Sequence, residues 1–526
     1  MRTFTSILLI LLLACVVLSG GCRRRSNTFV IALGDNVRTI DPIGSPSVDA
    51  ASERVRTLIF NSLVKKDDKF DYVGELASDV KHSDDGTVFT FTLRDGVKFH
   101  DGRVLSSADV KYTLDTVFSS DFAKSASFYE GSGKDKRSLI KSVEAPDAKT
   151  IVVTLTKPWV GLLSNLVAVA IIPKDSYESQ KTHPLGTGPF TFINYDNTQQ
   201  IVDLAAFAEY WEGPAKIQTV RVRVISDMNA LQAELRSGRV DIAPLPTSLS
   251  PDAVKLLGQD PNLNVHQFNG SNVNLLTINT SAAPLDNVKV RQAIEYAIDR
   301  ESMIKSLLLG LGKTAHSIIP EESWAYTAGQ TYSYDPATAK RLLDEAGFKD
   351  PDGEGPQMRF SKPVVYKVSG SSASGRNYAG VIQNYLKAVG IPVEIITPEQ
   401  NTVFDEVRRG NFQIFYSQWV GGNQDPIFYK DLFATSEIPT ETRASRNRSR
   451  YSNKELDALL DQAVNSFDRQ KAKELYTRIQ EIVSRDVPII PLWYQANIVI
   501  ARKNVGNIQV NASGDWSFVR NITVTN

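Results

Sequence analysis

The sequence is poor in the residues from which most reaction centres and metal sites are built. It has two cysteines and five histidines in 526 residues. Cys15 and Cys22 both lie close to the start, so a chain cut at Cys22 would carry neither a disulfide nor thiolate chemistry in its body. His82, His100, His183, His266 and His316 are scattered, no two have metal-ligand spacing, and there is no HExxH run. We therefore expect no metal and no cofactor. There is no GxSxG elbow either, which argues against a hydrolase; Asp101-Gly102 after His100 reads as a turn, and Ser106 or Ser107 as a helix cap. Charge of one sign is also missing. Lys plus Arg and Asp plus Glu each number 59, which gives no electrostatic case for nucleic acid. Beyond the N-terminus no run reaches the length of about 18 apolar residues that a membrane-spanning helix needs.

The N-terminus itself is different. Arg2 precedes an apolar run over residues 7–18, and Ser19-Gly20-Gly21 leads into Cys22. The run is too short to span a bilayer, so residues 1–21 read as a secretory signal. A cysteine directly after small residues resembles the bacterial lipobox, in which it is diacylated. Cys22 is favoured because it leaves an apolar core of ordinary length. Cys15, after Leu12-Leu13-Ala14, has the better-placed leucine but would leave a very short core. Residues 22–28, with Arg23-Arg24-Arg25, then form a solvated tether.

The body has ordinary globular proportions, 42% hydrophobic and 22% charged, and is too long for one core. Strands are expected at residues 29–33, 149–155, 190–195, 220–225, 240–243, 272–279 and 391–396, and a hairpin over 86–100 with Asp95-Gly96 at its turn. Helical spacing covers 51–63, 107–117, 229–237, 288–309, 335–346, 376–388, 402–409, 453–465 and 469–484. In the second half, helices end at Gly347, Gly390 and Gly410 and strands follow, which is an α/β rhythm. Gly186-Thr187-Gly188-Pro189 leads into a strand rather than a helix, so it is not a phosphate cradle.

The richest stretch is 411–433. A strand ends near Trp419, Gly421-Gly422 allow close backbone approach, and Asp425-Pro426 opens a helix, where the macrodipole favours the carboxylate. Ligands of open α/β sheets sit at such carboxyl ends of strands. Trp419, Gly421, Gly422 and Asn423 are therefore candidate cavity residues. Asn272 and Asn274, on the expected strand over 272–279, and Trp493 and Tyr494, on an expected return strand over 488–500, are further candidates.

Several stretches together resemble the family 5 extracellular solute-binding proteins of ATP-binding-cassette importers, the peptide- and nickel-binding group. They are Val97-Lys98-Phe99-His100-Asp101-Gly102 with Ser107-Ala108-Asp109-Val110; His183-Pro184-Leu185-Gly186-Thr187-Gly188-Pro189-Phe190; Gly238-Arg239-Val240-Asp241-Ile242; Val290-Arg291-Gln292-Ala293 with Ala297-Ile298-Asp299-Arg300; and Ala339-Lys340 with Ala346-Gly347-Phe348. Each is loose alone; their order is what makes the resemblance specific.

The resemblance implies a two-lobe periplasmic-binding-protein-like α/β fold (type II, cluster C-like) with an extra domain inserted in the N-terminal lobe. The bounds expected are 29–271 for that lobe, with the insertion at about 60–185, 272–490 for the C-terminal lobe, and 491–526 for the return. It also implies a monomer anchored in the periplasm or at the cell surface by lipid on Cys22, without covalent chemistry. Such a protein closes over a small solute and presents it to ABC permease subunits. In the dipeptide-binding branch an Asp takes the peptide's amino group and an Arg its carboxylate. Those positions fall on Gly422 and Ser369 here, both uncharged, so the expected ligand is a longer peptide or another medium-sized polar solute. An oligosaccharide or a metal chelate on the same fold is the alternative, and a secreted hydrolase the remote one.

Overall fold

The computed structural model describes residues 28–45, 49–131, 136–353, 355–419, 425–441, 443 and 445–525. Cys15 and Cys22 lie outside these residues. Two mixed sheets, each covered on both faces, organise two lobes. In the first sheet the strands run in the order Phe190–Asp196, Ile201–Ala206, Thr219–Val224, Phe29–Leu33, Ile242–Pro244, Asn497–Arg502 and Leu263–Phe268. The two-residue period of a strand sorts their side chains. Phe29, Ile31 and Leu33 join one core, with Val499 and Ala501. Ala32, Ile498 and Ile500 join a second core, with Leu231, Leu235, Val254 and Leu257.

The second sheet has the order Gly312–Thr314, Ile489–Gln495, Val273–Ile278, Ile414–Trp419, Val364–Lys367 and Val393–Ile396. Its middle strand, Val273–Ile278, is buried at every position. Leu276 and Ile278 pack on one face, and Val273 and Leu275 on the other. Between strand Phe29–Leu33 and strand Phe190–Asp196 the first lobe carries an antiparallel insertion, ordered Ala77–His82, Val88–Leu93, Thr150–Leu155 and Ile140–Glu144. Helix Ser107–Phe118 packs with it in the same core.

The chain crosses between lobes at adjacent places. Strand Leu263–Phe268 belongs to the first sheet and Val273–Ile278 to the second; strand Ile489–Gln495 belongs to the second and Asn497–Arg502 to the first. The return crossing therefore lies at Ala496, a few residues beyond the expected 491. The crossings are tied together. The Gln495 N–H donates to Asn272 O at 2.9 Å, and Asn497 Nδ2 donates to Asn269 O at 3.1 Å. Gly270 is required there, because a Cβ would collide with the Gln495 carbonyl.

Some local expectations change. The hairpin over 86–100 does not form: Val88–Leu93 pairs with Ala77–His82 and Thr150–Leu155 instead, which buries Phe89, Phe91 and Leu93 between two neighbours. The helix expected over 288–309 is broken into Val288–Ala297 and Arg300–Leu307, because the Asp299 side chain accepts the Ser302 N–H and starts a second helix. The strand expected over 488–500 is two strands in different sheets. Among the described residues no helix is long and apolar enough to cross a membrane.

The motif arginine Arg300 serves the fold. Its guanidinium donates to the carbonyls of Ala315 (2.9 Å), Pro491 (2.8 Å) and Tyr332 (2.5 Å). Glu295 is buried 3.6 Å from it, and burial, opposed by Arg300, raises the Glu295 carboxyl from 4.5 to about 7. A carboxyl raised on folding stabilises most fully below its unfolded value and loses that contribution as pH rises through the folded one. Between pH 4.5 and 7 this group alone should thus lower stability by up to ~1.4 kcal/mol per pH unit. Denaturant titrations of Glu295→Gln across that window should show a shallower fall than the parent; an unchanged slope would mean the carboxyl stays ionised.

Candidate functional site

A cavity of about 1380 Å³ lies between the lobes. Its walls are the carboxyl ends of strands, where the backbone of an open sheet turns away and leaves a crevice. In the first lobe, strand Ile242–Pro244 runs into residues 245–251, which line it, and helix Ala50–Ile59 contributes Arg54. In the second lobe, strand Val364–Lys367 leads to Ser369, and strand Ile414–Trp419 ends on Trp419. Arg446 and Arg448 come from the segment before helix Lys454–Ala463, and Ser513 from the C-terminal segment of the chain.

The second-lobe wall is rich in hydroxyls for a local reason. Helix Ala373–Ala388 starts at Ser372, whose side chain accepts the Gly375 N–H, and the preceding turn is held by a 2.8 Å bond between the Ser369 and Ser371 hydroxyls. Ser371 in turn donates to Gln400 Oε1 at 3.1 Å. On the opposite wall, Ser248 Oγ is buried with no hydrogen-bond partner among the described residues.

The expected site residues divide into groups. Ser369, Asn272, Asn274, Trp419 and Trp493 all line the cavity. Asn274 is almost fully buried and its Oδ1 accepts from the Tyr416 hydroxyl at 2.6 Å, so it holds the wall together. Trp493 is 1% exposed and meets Tyr378 edge-on, with ring centroids 4.9 Å apart. It is core with one edge at the cavity. Trp419 is half-buried and edge-on to Phe428 at 5.7 Å. Tyr494 is a correction. It projects to the other face of its strand, into the core, with its hydroxyl 2.8 Å from Ser317 O and 2.7 Å from Ile319 O. Gly421, Gly422 and Asn423 lie outside the described residues. Sequence reasoning missed Arg54, Arg446, Arg448 and residues 245–251. The cluster Arg443, Arg446, Arg448 and Arg450 was visible in the sequence, but a charge run usually marks a solvated face, and only the tertiary fold turns two of these arginines toward the crevice.

Asp425 does more than start a helix. Its Oδ1 accepts the Ile427 N–H at 2.9 Å, just ahead of helix Phe428–Phe433. Its Oδ2 accepts the hydroxyl of Tyr72 at 2.5 Å. Tyr72 sits on a first-lobe hairpin, Val64–Lys66 with Tyr72–Gly74, so this bond bridges the lobes. Burial, then Asp425, raises the Tyr72 hydroxyl well above its ordinary value. Burial pulls the Lys66 ammonium down to about 8, against the attraction of Asp425 and Asp515. The same hairpin meets helix Arg469–Asp486 through Asp71 and Arg469, whose guanidinium lies 3.7 Å over the Trp324 ring.

Among the described residues, no group of three or more His, Cys, Asp or Glu is placed to hold a metal ion. The recognition motifs all lie away from the cavity. His100 Nε2 is 3.0 Å from Gly188 O, and burial lowers that imidazole to about 4, leaving it neutral. Asp109 accepts the N–H groups of Ser106 at 2.9 Å and Lys174 at 2.8 Å.

Residues 71–440 match the family described as bacterial extracellular solute-binding proteins, family 5 Middle. The chain is 30% identical over 494 residues to "Heme-binding protein A" of Haemophilus influenzae, covering 89% of this chain and 87% of that one. It is 29% identical over 485 residues to the "Dipeptide-binding protein" of Escherichia coli, with 88% of each chain covered. A solved structure of the ABC transporter-associated periplasmic binding protein DppA from Helicobacter pylori, in complex with peptide STSA, superposes with a TM-score of 0.68 at 26% identity, covering 94% of this chain and 98% of that one.

The Tyr72–Asp425 bond exists only with the lobes in this placement, and a hydrogen bond to a charged group contributes roughly 1.5–3 kcal/mol. Tyr72→Phe should therefore shift the ligand-free protein toward an open form, read as a larger radius of gyration in small-angle scattering. A radius equal to the parent's would show that the bond does not bias closure.

Proposed function

The chain belongs to the family 5 bacterial extracellular solute-binding proteins, and on that premise we propose that it captures a peptide longer than two residues, or a polar solute of similar size, between its lobes and delivers it to an ABC importer. The observation that carries this reading is the cavity of about 1380 Å³ walled by both lobes. It exceeds the roughly 300–1,000 Å³ of ordinary small-ligand pockets, and it sits beside paired crossings that permit hinge motion. Binding then acts by population shift: a ligand touching both walls favours the closed form, and the permease subunits read that form. No bond is made or broken in the solute, and we assign the protein no enzymatic activity.

Recognition in this reading rests on Ser369, Trp419 and Asn272, together with Gly421, Gly422 and Asn423 after the strand. The walls offer hydroxyls and backbone, which suit peptide backbone and tolerate varied side chains. With Ser369 and Gly422 uncharged, a free dipeptide would have no counter-charges at the positions that the dipeptide-binding branch uses for its ends, and leaving a buried charge unpaired costs about 3–5 kcal/mol. An oligosaccharide loses one of its two expected stacking faces, because the Trp493 ring is packed in the core. A histidine-held metal chelate has no histidine on the described walls. We further propose residues 1–21 as signal, lipid on Cys22, an extracytoplasmic monomer anchored by that lipid, and the lobe division 29–271, 272–490 and 491–526, its return starting in practice at Ala496.

Mass spectrometry of solute released from the purified protein by denaturation should find peptides of more than two residues. A tightly held dipeptide with free ends would overturn the size argument. Trp419→Ala should weaken binding of the released peptide about tenfold by calorimetry, or ~1.4 kcal/mol; undiminished heat and affinity would remove Trp419 from the site.

A further inference from the structure

The cavity has an uneven charge balance. Its described charged lining is Arg54, Arg446, Arg448 and Asp252, and residues 420–424 carry no charge in the sequence. Two of these four groups have evident roles. Asp252 stands in the first turn of its helix, where the macrodipole favours it. Arg446 is paired with Asp431 at 3.2 Å and lies over the Phe428 ring at 5.7 Å. Arg54 and Arg448 are different. Both are half-buried, and among the described residues neither guanidinium has an ion pair or a hydrogen bond. Arg448 has only the face of Phe404, at 5.1 Å. On Arg54's own helix, Glu53 is already taken by Arg56 and Lys124, and Asp35 attracts Arg54 without ion-pair contact.

A partly desolvated charge without a counter-ion is unfavourable unless something else supplies one. A guanidinium presents a rigid fork of donors that matches a carboxylate in two parallel bonds. Arg54 belongs to the first lobe and Arg448 to the second, so they face one cavity from opposite walls. We propose that the cavity selects an acidic solute carrying at least two carboxylates, one paired with Arg54 and one with Arg448. This rests on the capture function proposed above and narrows its ligand class. It also gives closure a chemical cause, since one anionic ligand meets both guanidinium groups only when the walls approach. Burial lowers both guanidinium pKa values, with Arg446 adding to the effect at Arg448, in keeping with positive charge that the protein leaves uncompensated.

The test exposes the purified protein to a mixed pool of short peptides and identifies those retained by mass spectrometry. Thermal-shift assays run in parallel with citrate, a peptide-free polycarboxylate. Retained peptides should be richer in Asp and Glu than the pool. Arg54→Gln and Arg448→Gln should each weaken binding of a retained acidic peptide about tenfold to a hundredfold, and the double variant should lose the acidic bias. Arg239→Gln, which removes an exposed charge paired with Glu234 outside the cavity, should change nothing; unfolding curves of all variants show whether they fold. If peptides are retained with no acidic bias, or if the double variant keeps the bias, the charge inference falls while peptide capture stands. If no peptide is retained but citrate stabilises the parent and not the double variant, peptide capture falls and the charge inference stands. If neither peptide nor citrate acts, both fall.

Discussion

The constraint on which the rest depends is the pairing of the two chain crossings. The Gln495 N–H meets the Asn272 carbonyl at 2.9 Å, and Gly270 lets the backbones approach. The adjoining strands stay in register on both sides: Val273 opposes Tyr494 in one lobe, and Phe268 opposes Asn497 in the other. Two crossings held side by side leave the lobes one easy motion, a hinge about the crossing line. The cavity beside that line is consequently the volume that changes most when the lobes move, and a group on either wall couples its ligand to the motion.

The walls themselves divide the labour. The sheets supply rigid strand ends, and the loops after them supply chemistry. The serine-rich turn before helix Ala373–Ala388 is held by its own hydroxyl bonds and a helix cap, so its polar groups are preorganised. The arginines are preorganised differently. Arg54 and Arg448 stand on a helix and a segment fixed by the cores beneath them, and among the described residues neither charged end has an ion pair. On the hairpin side, Tyr72 and Asp425 join the lobes with one strong hydrogen bond. A protein that must open and close is served by a few strong, separable contacts there better than by a broad apolar seam, which would hold it shut.

Much of the fold was legible from local signals. Gly347 and Gly410 adopt positive φ after the helices before them, and the helices expected over 335–346, 453–465 and 469–484 form. What failed locally was decided by tertiary context. Asp95-Gly96 is a turn, with Gly96 at φ 71°, but Val97 and Phe99 leave the sheet for the core, so a good turn signal was not a hairpin. The run over 288–309 keeps helical spacing across Asp299, yet that carboxylate caps rather than continues. Trp493 and Tyr494 cannot both face the cavity, because adjacent residues of a strand point to opposite faces, and Tyr494 takes the core side. The cavity was half legible: Trp419 sits at a strand end, as the topology rule requires, whereas Ser369 was reached only through the family resemblance. Arg54 carried no local signal, because an arginine on an amphipathic helix has the same appearance whether it faces solvent or a crevice.

The motifs that identified the family explain why its ligand is so hard to read. Arg291 donates to the carbonyls of Leu285, Asp286 and Asp486, and Arg300 to three more. Asp241 accepts the Val30 N–H and pairs with Arg502, joining first-lobe strands. Gly188 packs against the backbone of Ile59 and Phe60, where a side chain would clash. Every one of these satisfies buried backbone or permits close approach, and none lines the cavity. Motifs of this kind report the polar bonds that hold this scaffold together rather than what it binds. The described cavity lining lies outside those motifs, in Arg54, residues 245–252, Ser369, Ser371, Arg446, Arg448 and Ser449 among others. Relatives at about 30% identity have names as different as a heme-binding and a dipeptide-binding protein. The ligand of any one member must therefore be argued from the charges and shapes on its own walls.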